Sequence, residues 1–333
     1  MLRKIICLLL LVSFFVVGCG KESESKIVKK LNDNIKKTKS YYIEGDLSVL
    51  NSTNEYKYDV SVYYLEKDYY RVNLLNKENN HEQIILKNKD GVYVITPSLN
   101  KSFKFQSNWP NDSSQVYLID SLYDDIFNSK DRVFNNTNDN YIFEIKANYP
   151  NNSNLVKQSI TFDKDLVLKN VKVFNDNNEV QMNMEFSNIV FNEKVDKNMF
   201  NMDNIIEGLN EKEKQEEVIN SIEDIIYPLY IPLGTVLTEE EKVNKGDGER
   251  IILTFEGEKP FILVEETVSI DNEFTIVPMQ GEPELVYDTI ASISNNSISW
   301  ISNGIEYYLV SDVMSQIELL EIAASVTKIE VEK

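Results

Sequence analysis

Few residues in this chain are of a type that could carry chemistry. A single histidine, His81, stands in the polar run Asn79-Asn80-His81-Glu82-Gln83. One imidazole cannot assemble the three or four protein ligands of an ordinary zinc site, and nothing near it suggests a nucleophile turn for a Ser-His-Asp arrangement. Asp124 and Asp125 form a carboxylate pair, the residue type glycoside hydrolysis requires. Adjacent positions on a helix, however, do not face each other. Asp163-Lys164-Asp165 and Asn175-Asp176-Asn177-Asn178 offer oxygens like those of calcium loops but lack the glycine and the distal glutamate. Both read as turns. No phosphate-binding glycine loop is present. The reading is therefore non-enzymatic: no catalytic residue, no metal and no cofactor.

The chemistry that remains sits at Cys19. Arg3 and Lys4 precede a charge-free run of thirteen residues, 5–17, which leads into Val16-Val17-Gly18-Cys19. That run is short for a bilayer core, which needs about 20 residues. A positive start, a short apolar run and small residues before a cut are the marks of a secretory signal. The cysteine after Val-Val-Gly resembles the bacterial lipobox. Residues 1–18 are therefore expected to be a lipoprotein signal peptide, with Cys19 the lipid attachment site carrying a diacylglycerol. Several acyl chains on one residue anchor stably. The chain is then held on the extracytoplasmic face of the cell membrane. Cys7 leaves with the signal, so no thiol remains for a disulfide or for redox chemistry.

The net charge of −20 over 333 residues is unevenly spread. Residues 19–203 carry 24 Lys and Arg against 27 Asp and Glu, whereas residues 204–333 carry 8 against 27. This asymmetry predicts two folded parts. It excludes nucleic acid, which needs a basic footprint, and it turns the acidic part away from anionic lipid headgroups.

Behind these residues stand the elements that must position them. Ile27, Leu31 and Ile35 form an apolar stripe in a basic helix over 22–39. Period two then takes over: Tyr56, Tyr58, Val60, Val62 and Tyr64 alternate with mostly polar residues. Asn88-Lys89-Asp90-Gly91 marks a hairpin between the runs 83–86 and 92–95. About ten strands joined by short polar turns predict an antiparallel sheet that curls. One helix, 114–127, interrupts the series with Val116, Ile119, Leu122 and Ile126; it is placed to plug the concave face. Residues 204–216 read as a charged linker passing into a helix that ends near Ile226. Residues 217–333 read as a small acidic α+β domain with a hairpin at Ser302-Asn303-Gly304 and a closing helix around Ile317, Leu320, Ile322 and Ala323.

On the apolar side of the sheet, Tyr58, Val60, Val62, Tyr64, Phe143, Ile145, Met182, Met184 and Phe186 either line a cavity for an acyl chain or pack as core against the helices. Trp109, beside Pro110, is either a partner surface or a packed loop anchor.

Residues 92–110, VYVITPSLNKSFKFQSNWP, together with Ser113-Ser114-Gln115 and Tyr69-Tyr70-Arg71-Val72, resemble the YdcC-type sporulation lipoproteins of endospore-forming bacteria. These are related to the GerS germination lipoproteins and are often described as outer-membrane lipoprotein-sorting proteins. The resemblance covers roughly residues 1–203. It implies a fold like LolA and LolB, an unclosed antiparallel half-barrel with inserted helices, over 19–203. It also implies a role near the spore envelope as a binding or scaffold protein for cortex peptidoglycan modification, with a cell-wall amidase or another spore-envelope protein as partner. The alternative it carries is a LolA-like carrier of a lipid or of a lipoprotein acyl chain, a hydrophobic ligand. The stretch 300–309 with the helix at 318–325 looks like a second module that recurs at the C-termini of Gram-positive membrane-anchored proteins.

Overall fold

The computed structural model describes residues 22–50, 54–66, 68–210, 221–246, 248–269, 273–286 and 288–326. The expected signal peptide and Cys19 lie outside these residues. Helix α1 (Glu24–Ile35) is followed by β1 (Ser40–Leu50), β2 (Glu55–Leu65), β3 (Tyr69–Asn76), β4 (Glu82–Asn88), β5 (Gly91–Thr96) and β6 (Lys101–Phe105). Helix α2 (Ile119–Asn128) then precedes β7 (Val133–Asn136), β8 (Asn140–Lys146), β9 (Lys157–Asp163), β10 (Leu168–Phe174) and β11 (Val180–Phe191). These eleven strands pair antiparallel in the order β6-β5-β4-β3-β2-β1-β11-β10-β9-β8-β7.

The alternation in β2 does what period two requires: Tyr58, Val60 and Val62 are buried while the residues between them reach the other face. At the β1–β11 seam the register slips between Glu44 and Gly45. A side chain at Gly45 would sit 2.2 Å from the Glu185 carbonyl oxygen, so this close approach requires glycine.

The sheet curves. Val94 and Phe103 near one end and Phe143 and Ile160 near the other belong to a single core with Ile27 and Leu31 of α1 and Leu122, Tyr123 and Ile126 of α2. A flat sheet of this many strands would be about 50 Å wide, whereas a helix with its side chains is only about 10–12 Å across. Two helices can touch both ends only of a curled sheet. Because β7 ends the ladder without pairing to the opposite edge, the half-barrel stays open. The fold class is α+β.

The second sheet is built from β12 (Thr235–Lys245), β13 (Gly248–Gly257), β14 (Phe261–Thr267), β16 (Glu282–Val286), β17 (Thr289–Ile293), β18 (Ser297–Ser302) and β19 (Ile305–Val310), in the order β12-β13-β14-β19-β18-β17-β16. A helix near the C-terminus (Gln316–Ser325) covers one face. It buries Leu319, Leu320, Ile322 and Ala323 against Ile251, Leu253, Leu263, Ile298 and Leu309. Ser315 and Glu318 cap it reciprocally.

Three readings of the sequence are corrected. The first part of the expected linker over 204–216 is helical over Met202–Asn210 (α3), because Met202, Ile205, Ile206 and Leu209 recur at helical spacing, and 211–216 lie outside the described residues. With Phe200, α3 covers the convex face of β4 and β5 over Ile84, Leu86, Tyr93 and Ile95. Residues 221–226 are not helical: the Ile222 and Ile226 amides donate to the carboxylates of Glu249 and Glu265, at 2.8 and 3.0 Å. Side chains thus take the bonds a helix would have supplied. Finally, β15 (Thr275–Met279) does not join the second sheet. It pairs in parallel with β6 and extends the first one to twelve strands.

Candidate functional site

The concave face is occupied. Tyr58, Val60, Val62, Phe143, Ile145, Met184 and Phe186 are buried, and Tyr64 and Met182 pack against them, all in one core with α1 and α2. Asp120 of α2 fixes the plug, accepting hydrogen bonds from the hydroxyls of Tyr41 and Tyr70 at 2.5 Å each. Burial, with the Asp120 charge beside them, pushes both phenols well above their ordinary pKa. Tyr64 stacks on Tyr41 at 4.7 Å. Arg132 joins the helices, donating to Glu24 of α1 and to the Ile126 and Ser129 carbonyls at the end of α2. Of the two readings of these nine residues, ligand lining or core, the concave face supports core, and Met182 also reaches the open cleft described below.

Of the two readings of Trp109, partner surface or packed loop anchor, the structure supports the second. It is 3% exposed and lies edge-on to the Tyr70 ring at 5.8 Å, so it anchors a loop and offers no partner surface. Asp124 is exposed, while Asp125 turns inward to accept from Gln158 at 2.6 Å. The two carboxylates do not converge.

The concavity that remains open lies where the two sheets meet. It has a cavity volume of about 80 Å³ and lies between Val49 of β1, the segment 113–117 before α2, Tyr149 and Leu155, Met182 of β11, residues 283–286 of β16 and Leu320 of the C-terminal helix. Ligand sites occur preferentially at domain junctions, and this cleft has room for a small group or a side chain. Of the nine residues named from the sequence, only Met182 lines it.

Polar side chains line it among the apolar ones, with Ser113, Gln115, Asn152, Gln181 and Glu284 drawn from several segments. Glu284 accepts from Asn151 Nδ2 at 2.5 Å, and Asn151 Oδ1 accepts from Gln316 Nε2 at 3.1 Å. The Tyr149 hydroxyl is buried there without a hydrogen-bond partner, and burial raises its pKa. Apolar walls interspersed with hydroxyl, amide and carboxyl groups suit binding and orienting a ligand. Sequence reading missed this site because its lining comes from widely separated segments. The only local sign is a carboxylate inside the run Pro283-Glu284-Leu285-Val286.

The same junction holds the two sheets together. Gln83 of β4 accepts from the Ile290 amide at 2.7 Å and the Thr289 hydroxyl at 3.3 Å. Ser107 donates to Glu282, and Lys101 donates to the Ser269 carbonyl at 2.8 Å.

Burial raises the Glu284 carboxyl to about 7, against the opposing bond from Asn151. Glu265, fully buried in the second sheet, is likewise raised from 4.5 to about 7 by burial. Both groups hold their protons more tightly when folded than unfolded. Their contribution to stability is therefore complete below pH 4.5 and is lost as pH rises through about 7. Between pH 5.5 and 8 the expected loss is about 2 kcal/mol for each group, roughly 4 kcal/mol for the two. Urea unfolding at the two pH values should show it, and Glu265→Gln combined with Glu284→Gln should flatten it. Equal midpoints for the unsubstituted chain would contradict the assignment.

Three comparisons place the chain among known proteins. The family described as "Sporulation protein YdcC-like" matches residues 1–200. The sporulation protein YdcC of Bacillus subtilis (strain 168) is 37% identical over 322 residues, which is 95% of this chain and 94% of that protein. Among solved structures, a LolA superfamily protein from Nitrosomonas europaea aligns at 10% identity with a TM-score of 0.31, covering 55% of this chain and 99% of its own. A structure of the CwlD amidase from Clostridioides difficile in complex with the GerS lipoprotein aligns at 11% identity with a TM-score of 0.28, covering 53% of this chain and 96% of the matched chain. Among the described residues no helix is long and apolar enough to cross a membrane.

Proposed function

The chain belongs to the YdcC-like family of sporulation proteins, and from that premise we propose that it is a lipid-tethered, non-enzymatic binding or scaffold protein of the spore envelope. The near full-length identity to a sporulation protein carries this reading. In it Cys19 bears the lipid, and α1 begins a few residues further on, so the half-barrel stands close to the membrane. Lys26 and Lys30 of α1 pair with Glu22 at 2.6 and 2.9 Å, while Lys29, Lys36 and Lys37 stay exposed toward anionic headgroups. The cleft at Glu284 and Tyr149 is the site for a ligand or partner side chain. The partner class is a protein acting on cortex peptidoglycan, and a cell-wall amidase is the candidate that the sequence resemblance implies.

The filled concave face speaks against an acyl-chain carrier, because a chain could enter only by displacing α2 and the Asp120 bonds. A chromosomal Cys19→Ala exchange, compared with a deletion, tests the proposal. The exchanged chain should leave the membrane fraction and fail to restore sporulation. A Cys19→Ala chain that stays membrane-bound, or that restores sporulation fully from the soluble fraction, would overturn it.

A further inference from the structure

Strands that are apolar on both faces need cover on both faces. The first sheet obeys this rule. Ile84-Ile85-Leu86 of β4 and Val92-Tyr93-Val94-Ile95 of β5 send alternate residues to the concave core and to the convex side. On the convex side, α3 and Phe200 seal them.

Among the described residues, the second sheet carries the same pattern without a second cover. Ile251-Ile252-Leu253 of β13, Ile262-Leu263-Val264 of β14 and Tyr307-Tyr308-Leu309-Val310 of β19 are apolar runs. Ile251, Leu253, Leu263 and Leu309 face the core under the C-terminal helix. Pairing aligns the alternate residues on the opposite face in rows, and beside a charged row through Arg250, Glu266 and Glu306 lie two that carry the apolar residues. One row runs Glu241, Ile252, Val264, Tyr308, Ser299, and the other runs Glu239, Thr254, Ile262, Val310, Ser297. Ile262 is 38% and Tyr308 43% exposed, far more than the covered residues of β4 and β5. Adjacent exposed apolar residues of this kind mark interaction sites.

The rim says what fits. Each row ends on a β12 glutamate, Glu239 or Glu241, and both are exposed, as is Glu256. The part of the chain that carries this face has 27 acidic residues against 8 basic ones. A second copy would bring two such acidic surfaces together, and anionic lipid would be repelled. We infer that this face of the second sheet docks a protein segment with apolar side chains at its centre and Lys or Arg at its margins. The face lies away from the cleft at Glu284, so this site is separate from the one described above.

The probe is a synthetic amphipathic helix of about 18 residues, five turns, with leucines on one face and lysines flanking them. A second peptide with glutamates in place of the lysines is the control. Binding to the full mature chain is read by fluorescence anisotropy. The lysine peptide is expected to bind about tenfold more tightly than its glutamate counterpart. Ile262→Ser with Tyr308→Ser should weaken it about tenfold, and Glu239→Gln with Glu241→Gln should weaken it while making it less sensitive to salt. Circular dichroism and hydrogen exchange establish that both double variants fold.

Binding unchanged by either pair, or equal for the two peptides, would overturn the inference. So would self-association of the chain in the ultracentrifuge that the Ile262 and Tyr308 exchanges abolish, since a second copy would then be the occupant. Protection of the Tyr308 face by the chain's own termini in the free protein would also overturn it.

Discussion

Asp120→Ala is expected to destabilise the chain by about 4 kcal/mol. The carboxylate takes two hydroxyl protons inside the core, and hydrogen bonds to a charged group contribute about 1.5–3 kcal/mol each. Truncation also strands the hydroxyls of Tyr41, fully buried, and Tyr70, 3% exposed. Asp120→Asn should cost roughly half as much, because one acceptor oxygen remains. Tyr41→Phe or Tyr70→Phe should each cost about 1.5 kcal/mol alone. Placed on the Asp120→Ala background, they should recover stability, since they remove the stranded donors. Urea unfolding of the six proteins is the measurement. Independent, additive losses would show that the three side chains do not act as a unit.

Gln83→Leu is expected to cost about 3 kcal/mol and to loosen the join between the sheets. The substitution nearly preserves volume. It removes the one acceptor serving the Ile290 amide and the Thr289 hydroxyl, and all three residues are buried. A buried donor left unsatisfied costs about 1–3 kcal/mol. Gln83→Glu keeps the acceptor oxygens and should lose less. Hydrogen exchange gives the local readout: the Ile290 amide should lose protection in Gln83→Leu before the β1–β2 ladder does. Parallel loss of protection everywhere would mean that Gln83 contributes only to global stability.

Much of the first sheet can be read from the chain because its information is local. Tyr58, Val60 and Val62 alternate, Asn88 to Gly91 makes the turn between β4 and β5, and Ile119, Leu122 and Ile126 recur at helical spacing. Helix α3 was obscured by its neighbours: its stripe of Met202, Ile205, Ile206 and Leu209 runs into a stretch dense in Glu and Lys. Strand β15 left no local trace. Thr275 to Met279 contains a proline and no charge alternation, and its partner, Lys101 to Phe105, lies far back in the chain. Parallel pairing over such a distance is a tertiary outcome.

The same reason hid the cleft, whose carboxyl, amide and phenol come from β16 and a distant loop. Trp109 beside a proline left two readings open, and only the packing of Tyr70 on it decides for the loop anchor. The uncovered face was, by contrast, present in the sequence. Ile262-Leu263-Val264 and Tyr307-Tyr308-Leu309-Val310 have no polar alternation, and an antiparallel sheet with one wet face should have shown it.

The central claim, that this chain serves the spore envelope from a lipid tether, meets its most direct test in the cortex itself. Muropeptides of spores from a deletion strain, from the strain restored with the unsubstituted chain and from the Cys19→Ala strain would be compared. The account predicts an altered cortex in the deletion, full restoration by the unsubstituted chain and failure of restoration by Cys19→Ala. A deletion strain with unaltered cortex, normal spore yield and normal germination would contradict it.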